Sequence, residues 1–146
     1  MTAAATSAFR ALAAIALAVI AGHGCISATA RPPDMQPSEV ARASTTQAGV
    51  RLTLVVSTVA RQPRTFQFVA EAIGGADNNP ELYCVGNTWD FGDGPPLSVS
   101  PSCTPWTSES KIQRRYENTH AYEKAGLYEV RFTVGAFSAH TTLTVN

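Results

Sequence analysis

Three side chains in this 146-residue chain have types and spacing suited to chemistry: Asp90, Asp93 and His120. Paired carboxylates can serve as the acid and base of a hydrolase, or as oxygen ligands for a hard cation such as Ca²⁺. A histidine beside them could move a proton. The same residue types also fix turns, so the surrounding sequence must decide between a reactive site and a structural one.

Both aspartates lie in the block Trp89-Asp90-Phe91-Gly92-Asp93-Gly94. The block is an apolar-alternating strand that stops in a Gly-Asp-Gly turn, because glycine adopts positive φ at little steric cost. A carboxylate in such a turn accepts hydrogen bonds from nearby backbone N–H groups. We expect this structural role for Asp93.

Calcium binding is the main alternative, with Asp77, Asn78, Asn79 and Glu81 as further oxygen donors, but no DxDxDG loop is present. The sequence also lacks a serine nucleophile elbow, an HExxH motif, a phosphate-binding glycine loop and CxxC pairs. We therefore expect no catalytic residues, no metal and no cofactor. A small hydrolase that uses Asp90, Asp93 and His120 is the competing hypothesis.

The overall charge is balanced, with 11 basic and 11 acidic residues. A chain with no net charge has no general electrostatic attraction for nucleic acid. We therefore exclude nucleic acid as a partner. Contact with a membrane is expected only through a lipid on the N-terminal segment.

Residues 1–30 are predicted to be an export signal, since Ala11 to Ala21 is an unbroken apolar run behind Arg10 and is too short to span a bilayer. Two processing routes stay open. Ala28-Thr29-Ala30 offers an A-x-A cleavage site that yields a secreted or periplasmic protein. Gly22-His23-Gly24-Cys25 resembles an imperfect lipoprotein box, which would make Cys25 a lipidated anchor at the cell surface.

Three cysteines can form at most one disulfide among themselves, which leaves one cysteine unpaired. Cys25 is the one that processing would remove or lipidate. Cys84 and Cys103 remain as a pair with 18 residues between them. In an oxidising compartment they could form a disulfide; in a reducing one they would be two free thiols.

The composition divides the rest of the chain into a linker and one domain. Residues 31–48 are rich in Pro, Ser, Thr and Ala, and we predict a flexible tether there. Residues 49–146 are long enough for one domain with a single core.

Within this domain, apolar residues alternate over short runs separated by turn residues, which predicts an all-β sandwich. Leu52, Leu54 and Val56 should share one inward face, as should Phe66, Phe68, Ala70 and Ala72. Val85, Trp89 and Phe91 form a third such set. The predicted strands are 51–59, 65–73, 82–91, an edge strand at 111–116, 127–135 and 138–145, and the proline-bearing segment after Gly94 should be a loop.

A family resemblance rests on three blocks in order: the Trp89–Gly94 block, His120-Ala121-Tyr122, and Gly126-Leu127-Tyr128-Glu129-Val130. Together they resemble the polycystic kidney disease (PKD) domain, an immunoglobulin-like two-sheet β-sandwich. The resemblance implies that the motif is structural: Trp89 at the centre of the core, His120 hydrogen-bonded to the backbone or to an aspartate of the turn, and Tyr128 in a tyrosine corner with Val130 in the core. Phe91, Gly92, Tyr122 and Gly126 complete this structural set.

The resemblance implies a non-catalytic, extracytoplasmic module that contacts an extracellular protein or polysaccharide. An alternative is an accessory that presents substrate to a separate secreted hydrolase. The segment between Gly94 and His120 is longer than the simplest pattern of the family and carries Cys103. We expect any individual specificity to lie there, in the loop from Pro95 to Glu109.

Overall fold

The structure is a computed structural model and describes residues 37–146. The predicted export signal at residues 1–30, including Cys25, and the first part of the predicted tether lie outside the described residues. Within residues 37–146, no helix is long and apolar enough to cross a membrane.

Eight strands form two antiparallel sheets, and residues 37–146 contain no helix. The strands are β1 Glu39–Gln47, β2 Val50–Thr58, β3 Thr65–Gly74, β4 Asn87–Asp90, β5 Leu97–Val99, β6 Arg115–Ala121, β7 Gly126–Val134 and β8 Phe137–Val145. One sheet has the order β1-β2-β3-β6 and the other the order β5-β4-β7-β8. The predicted all-β, two-sheet sandwich is confirmed.

The core lies between the sheets and follows the predicted alternation. The inward residues of β2 and β3 are buried, as are alternate residues of β7 and β8. Trp89 is only 2% exposed and lies among aromatic rings, with its ring centroid 4.3 Å from that of Phe132 and 6.3 Å from that of Phe68. Aromatic side chains of this size contribute the largest buried areas in a small domain.

The predicted tether is wrong for residues 39–47, which form β1 and pair along the whole of β2. The positions opposite the buried Val56, Leu54 and Leu52 of β2 are Ala41, Ala43 and Thr45, so these positions of β1 carry only small side chains. A two-residue turn, Ala48-Gly49, joins the strands, and both residues have positive φ, 48° and 76°. These values fit the type I′ turn that matches the twist of a hairpin.

The predicted strand 82–91 is too long, because only residues 87–90 belong to β4. Residues 81–84 form a turn in which Cys84 has a φ of 54°, a left-handed conformation that ends an extended run. Leu82 is nevertheless buried in the core.

The predicted edge strand 111–116 is displaced toward the C-terminus, since β6 covers residues 115–121. The residues just before β6 are held by hydrogen bonds that lie outside the β-strand pairing. The Ile112 N–H donates to the Asp77 carbonyl, and the Arg114 guanidinium donates to the carbonyls of Ala72, Gly74 and Gly75. β6 lies at the edge of the first sheet, as predicted.

Candidate binding site

The Trp89–Gly94 block forms the end of β4 and a tight turn. Asp90 Oδ1 accepts a hydrogen bond from the Gly92 N–H at 3.0 Å, so Asp90 fixes the turn. Gly92 has a φ of 80°, and a Cβ there would lie 2.8 Å from the Glu129 carbonyl oxygen. The turn therefore requires glycine for both its conformation and its close approach to β7.

His120 bonds to an aspartate of the turn, as one of its two expected arrangements has it, whereas Asp93 was expected to bond to backbone N–H groups. Asp93 Oδ2 accepts a hydrogen bond from His120 Nε2 at 2.8 Å, and both side chains are about one-quarter exposed. Asp93 follows β4 of one sheet, while His120 is on β6 of the other, so the bond joins the two sheets. The imidazole also stacks on Phe91, with the ring planes 3° apart and the centroids at 4.2 Å.

Two tyrosine hydroxyls close the same end of the sandwich. Tyr122 donates to the Phe91 carbonyl, and Tyr128 donates to the Lys124 carbonyl, each at 3.0 Å. The Tyr128 bond reaches four residues upstream, which is the geometry of a tyrosine corner, and Val130 is fully buried two residues later. Burial, together with the negative charge of Asp93, raises the pKa of the Tyr122 phenol.

Two of the side-chain oxygens considered for calcium, those of Asp77 and Asn79, accept hydrogen bonds within the protein. Asp77 Oδ1 accepts two hydrogen bonds from the Arg114 guanidinium, at 2.6 and 2.9 Å. Asn79 Oδ1 accepts the N–H of Glu81, and the Asn78 amide donates to the Ser108 carbonyl. In the part of the chain that the structure describes, no group of three or more His, Cys, Asp or Glu residues is placed to hold a metal.

The loop from Pro95 to Glu109, which we call the anchored loop, combines exposure with fixed attachment. Every residue from Gly92 to Glu109 is exposed, and its only regular structure is the short edge strand β5. The Cys84–Cys103 disulfide is formed, with 6.0 Å between the Cα atoms. The Tyr83 hydroxyl donates to the Thr104 carbonyl at 2.9 Å, next to the bridge.

Trp106 adds a further attachment to the anchored loop. Its indole Nε1–H donates to the Asn78 carbonyl at 3.1 Å, while 45% of the residue stays exposed. It is the one aromatic among the exposed large apolar residues of the described chain, the others being Val40, Ile73, Leu97, Val99 and Leu127. The sequence analysis passed over Trp106. A lone tryptophan in a stretch of Ser, Thr and Pro was the signal available.

The sequence comparison agrees with the geometry. The family model described as PKD domain matches residues 51–146. The chain belongs to the PKD domain family. The search of curated proteins and the search of solved structures each gave no match. The PKD match begins inside β2, so β1 is an N-terminal strand that the structure adds to the matched region.

The PKD fold is one of extracellular interaction modules, and the disulfide is typical of an oxidising environment. In this PKD domain, the motif side chains Trp89, Tyr122 and Val130 are buried, and His120 and Asp93 bond to one another. The motif therefore builds one end of the sandwich. The anchored loop leaves the sandwich immediately after it.

Two open grooves also lie on the PKD sandwich. A groove of about 540 Å³ beside the His120–Asp93 bond is lined partly by Pro95 and Lys124. A second groove, of about 500 Å³, lies on the outer face of the first sheet, with Arg42, Arg51 and Arg115 on its rim and Glu71 among them. Arg42 pairs with Glu39, and Arg115 pairs with Glu117, so this outer face has mixed charge.

Proposed function

We propose that this protein is an exported, non-catalytic PKD module that binds an extracellular protein or polysaccharide through the anchored loop. The observation that carries the proposal is that every residue of the loop is exposed while the loop is attached by a disulfide and by hydrogen bonds. A surface segment fixed in this way loses little conformational entropy when a partner binds, so more of the contact energy contributes to affinity.

The side chains with reactive types support a non-catalytic role. Asp90 is bound to the backbone of its own turn, and the Asp93 carboxylate accepts the Nε2–H of His120. A hydrolase would need these groups to converge on an open position where a substrate atom could lie. Asp93 and His120 line an open groove but Asp90 does not, so the three groups do not meet at one such position. Their bonds hold a turn and connect two sheets.

Export is supported by the disulfide and by the apolar run at Ala11 to Ala21. The proposal leaves two routes, secretion after Ala30 or lipidation at Cys25. The intact mass of the mature protein separates them, because an acylated Cys25 adds the mass of its lipid. The same spectrum shows the loss of two hydrogens that a Cys84–Cys103 bridge requires.

The binding role is tested by incubating the protein with extracellular matrix, cell-envelope fractions, insoluble glycans and collagen. The matched variant replaces residues 97–102 and 104–107 with Gly and Ser while keeping both bridging cysteines. We expect retention of the wild-type protein and loss of retention for the variant. Equal retention of both proteins, or retention of neither, would contradict binding through this loop.

A further inference from the structure

We infer that the exposed face of Trp106 is the contact surface for an uncharged sugar ring, and that the ligand of this module is a neutral polysaccharide. The inference rests on the proposed function and names the ligand class of the same loop. It depends on the orientation of one indole and on the chemistry of the residues around it.

The indole is held in a defined orientation. Its N–H, the polar edge of the ring, donates to the Asn78 carbonyl, and the Asn78 side chain in turn donates to the carbonyl of Ser108, two residues after Trp106 in the sequence. The remaining 45% exposure therefore belongs to a side chain that is fixed at one edge. An aromatic ring fixed in this way presents a flat apolar surface with a negative quadrupole face.

A pyranose ring fits such a surface. One of its faces consists of C–H bonds, whose positive ends are attracted to the face of the indole, and its hydroxyl groups point outward around the rim. Besides the exposed Leu97 and Val99 of β5, the loop offers short hydroxyl side chains at Ser100, Ser102, Thr104 and Thr107, of which those of Thr104 and Thr107 also contact Tyr83 and Ser110. These groups can donate to sugar hydroxyls and accept from them.

The charge of the loop favours a neutral ligand. The anchored loop contains no Lys or Arg, and its one charged residue is Glu109 at its end. A site for an acidic polysaccharide would be expected to carry arginine or lysine against the carboxylate or sulfate groups. A protein partner would also need a larger apolar centre, since stable protein interfaces bury roughly 800 Å² on each side around a cluster of apolar anchors.

The test uses the fact that the chain has only two tryptophans. Trp89 is 2% exposed and Trp106 is 45% exposed, so acrylamide should quench mainly the fluorescence of Trp106. The full-length protein is titrated with the hexasaccharides of cellulose, chitin, xylan and mannan, and with a polygalacturonate oligomer as the acidic comparison. We expect at least one neutral oligosaccharide to protect the fluorescence from quenching, and the uronate to give no protection.

The matched variants are Trp106→Ala and Leu127→Ala, the second of which removes an exposed apolar side chain from β7. Binding of the protective oligosaccharide, measured by calorimetry, should weaken about tenfold or more in W106A and stay unchanged in L127A. Failure of every neutral oligosaccharide to protect, or protection by the uronate alone, would overturn the inference. Unchanged binding in W106A would also overturn it, while leaving the proposed function in place if the Gly/Ser loop variant still loses retention.

Discussion

The hydroxyl of Tyr122 donates a hydrogen bond to the carbonyl oxygen of Phe91, 3.0 Å away in the buried end of the sandwich. Tyr122 follows β6 in the first sheet and Phe91 follows β4 in the second, so the bond connects the sheets at the point where the chain leaves the core. Tyr128, with its hydroxyl on the Lys124 carbonyl, makes a similar bond at a more exposed position.

Tyr122→Phe should lower the free energy of unfolding by about 1–3 kcal/mol, because the variant leaves a buried carbonyl without its donor. Tyr128→Phe is the matched control, and its cost should be smaller because water can replace the lost partner. Urea denaturation of both variants provides the measurement. Equal costs for the two would contradict the structural difference between them.

Alkaline pH should destabilise the domain through Tyr116 and Tyr122, since burial raises the pKa of both phenols in the folded state. Above about pH 10, the ordinary pKa of tyrosine, the unfolded chain releases these protons while the folded chain keeps them. The unfolded state then binds fewer protons than the folded state, so the free energy of unfolding falls as the pH rises. Below the ordinary tyrosine pKa, these two groups do not change the free energy of unfolding. Tyr122→Phe should make the fall measured from pH 9 to 12 less steep; an unchanged slope would show that Tyr122 ionises normally.

The Asp93–His120 bond should contribute a measurable coupling energy between the sheets. In a double-mutant cycle with Asp93→Ala and His120→Ala, we expect a coupling of about 1 kcal/mol in the free energy of unfolding. The cycle is needed because His120→Ala also removes the stacking on Phe91. Strict additivity of the two single substitutions would show that the bond contributes nothing to stability.

Loss of the disulfide should destabilise the protein by about 3 kcal/mol, the value that the chain-entropy description gives for a loop of this size. The double variant Cys84→Ser/Cys103→Ser should also be cleaved faster by protease within residues 95–109. Its urea midpoint should match that of the wild-type protein in dithiothreitol. A midpoint of the wild type that does not respond to the reductant would argue against a stabilising bridge.

The hairpin at Ala48-Gly49 predicts a stabilising substitution. Ala48 has a positive φ, which costs an alanine about 1 kcal/mol, whereas asparagine is favoured at this position of a type I′ turn. Ala48→Asn should raise the free energy of unfolding by about 0.5–1 kcal/mol, and Ala48→Val should lower it. If residues 39–48 formed an unstructured tether, neither substitution would change the unfolding midpoint.

The central strands could be predicted from the sequence because their inward positions carry large apolar residues. Two strands with one inward face each bury the alternating large apolar residues together. These residues are Leu52, Leu54 and Val56 on β2 and Phe66 and Phe68 on β3. The same argument places Trp89 in the core. The count of three cysteines left Cys84 and Cys103 as either a disulfide or two free thiols, and the structure has the disulfide.

The parts that were wrong lack this signal. The positions of β1 opposite the buried Val56, Leu54 and Leu52 are Ala41, Ala43 and Thr45, whose small side chains gave no hydrophobic period to detect. Cys84 adopts a left-handed conformation, which its residue type does not predict. Asp93 was expected to bond to backbone N–H groups of its own turn, whereas its partner is His120, 27 residues away; for His120, a bond to an aspartate of the turn was one of the two expected arrangements.

The attachment of the anchored loop has an evolutionary consequence. The loop is attached through the Cys84–Cys103 bridge, through bonds with Tyr83 and Asn78, and through a hydroxyl bond between Ser98 and Thr88, while all of its residues are exposed. On the proposed binding role, substitutions among the loop side chains that make none of these bonds should change the ligand without disturbing the folding of the sandwich. The sandwich can thus stay constant while the anchored loop varies. A laboratory library confined to the loop should yield folded proteins with altered ligand preference.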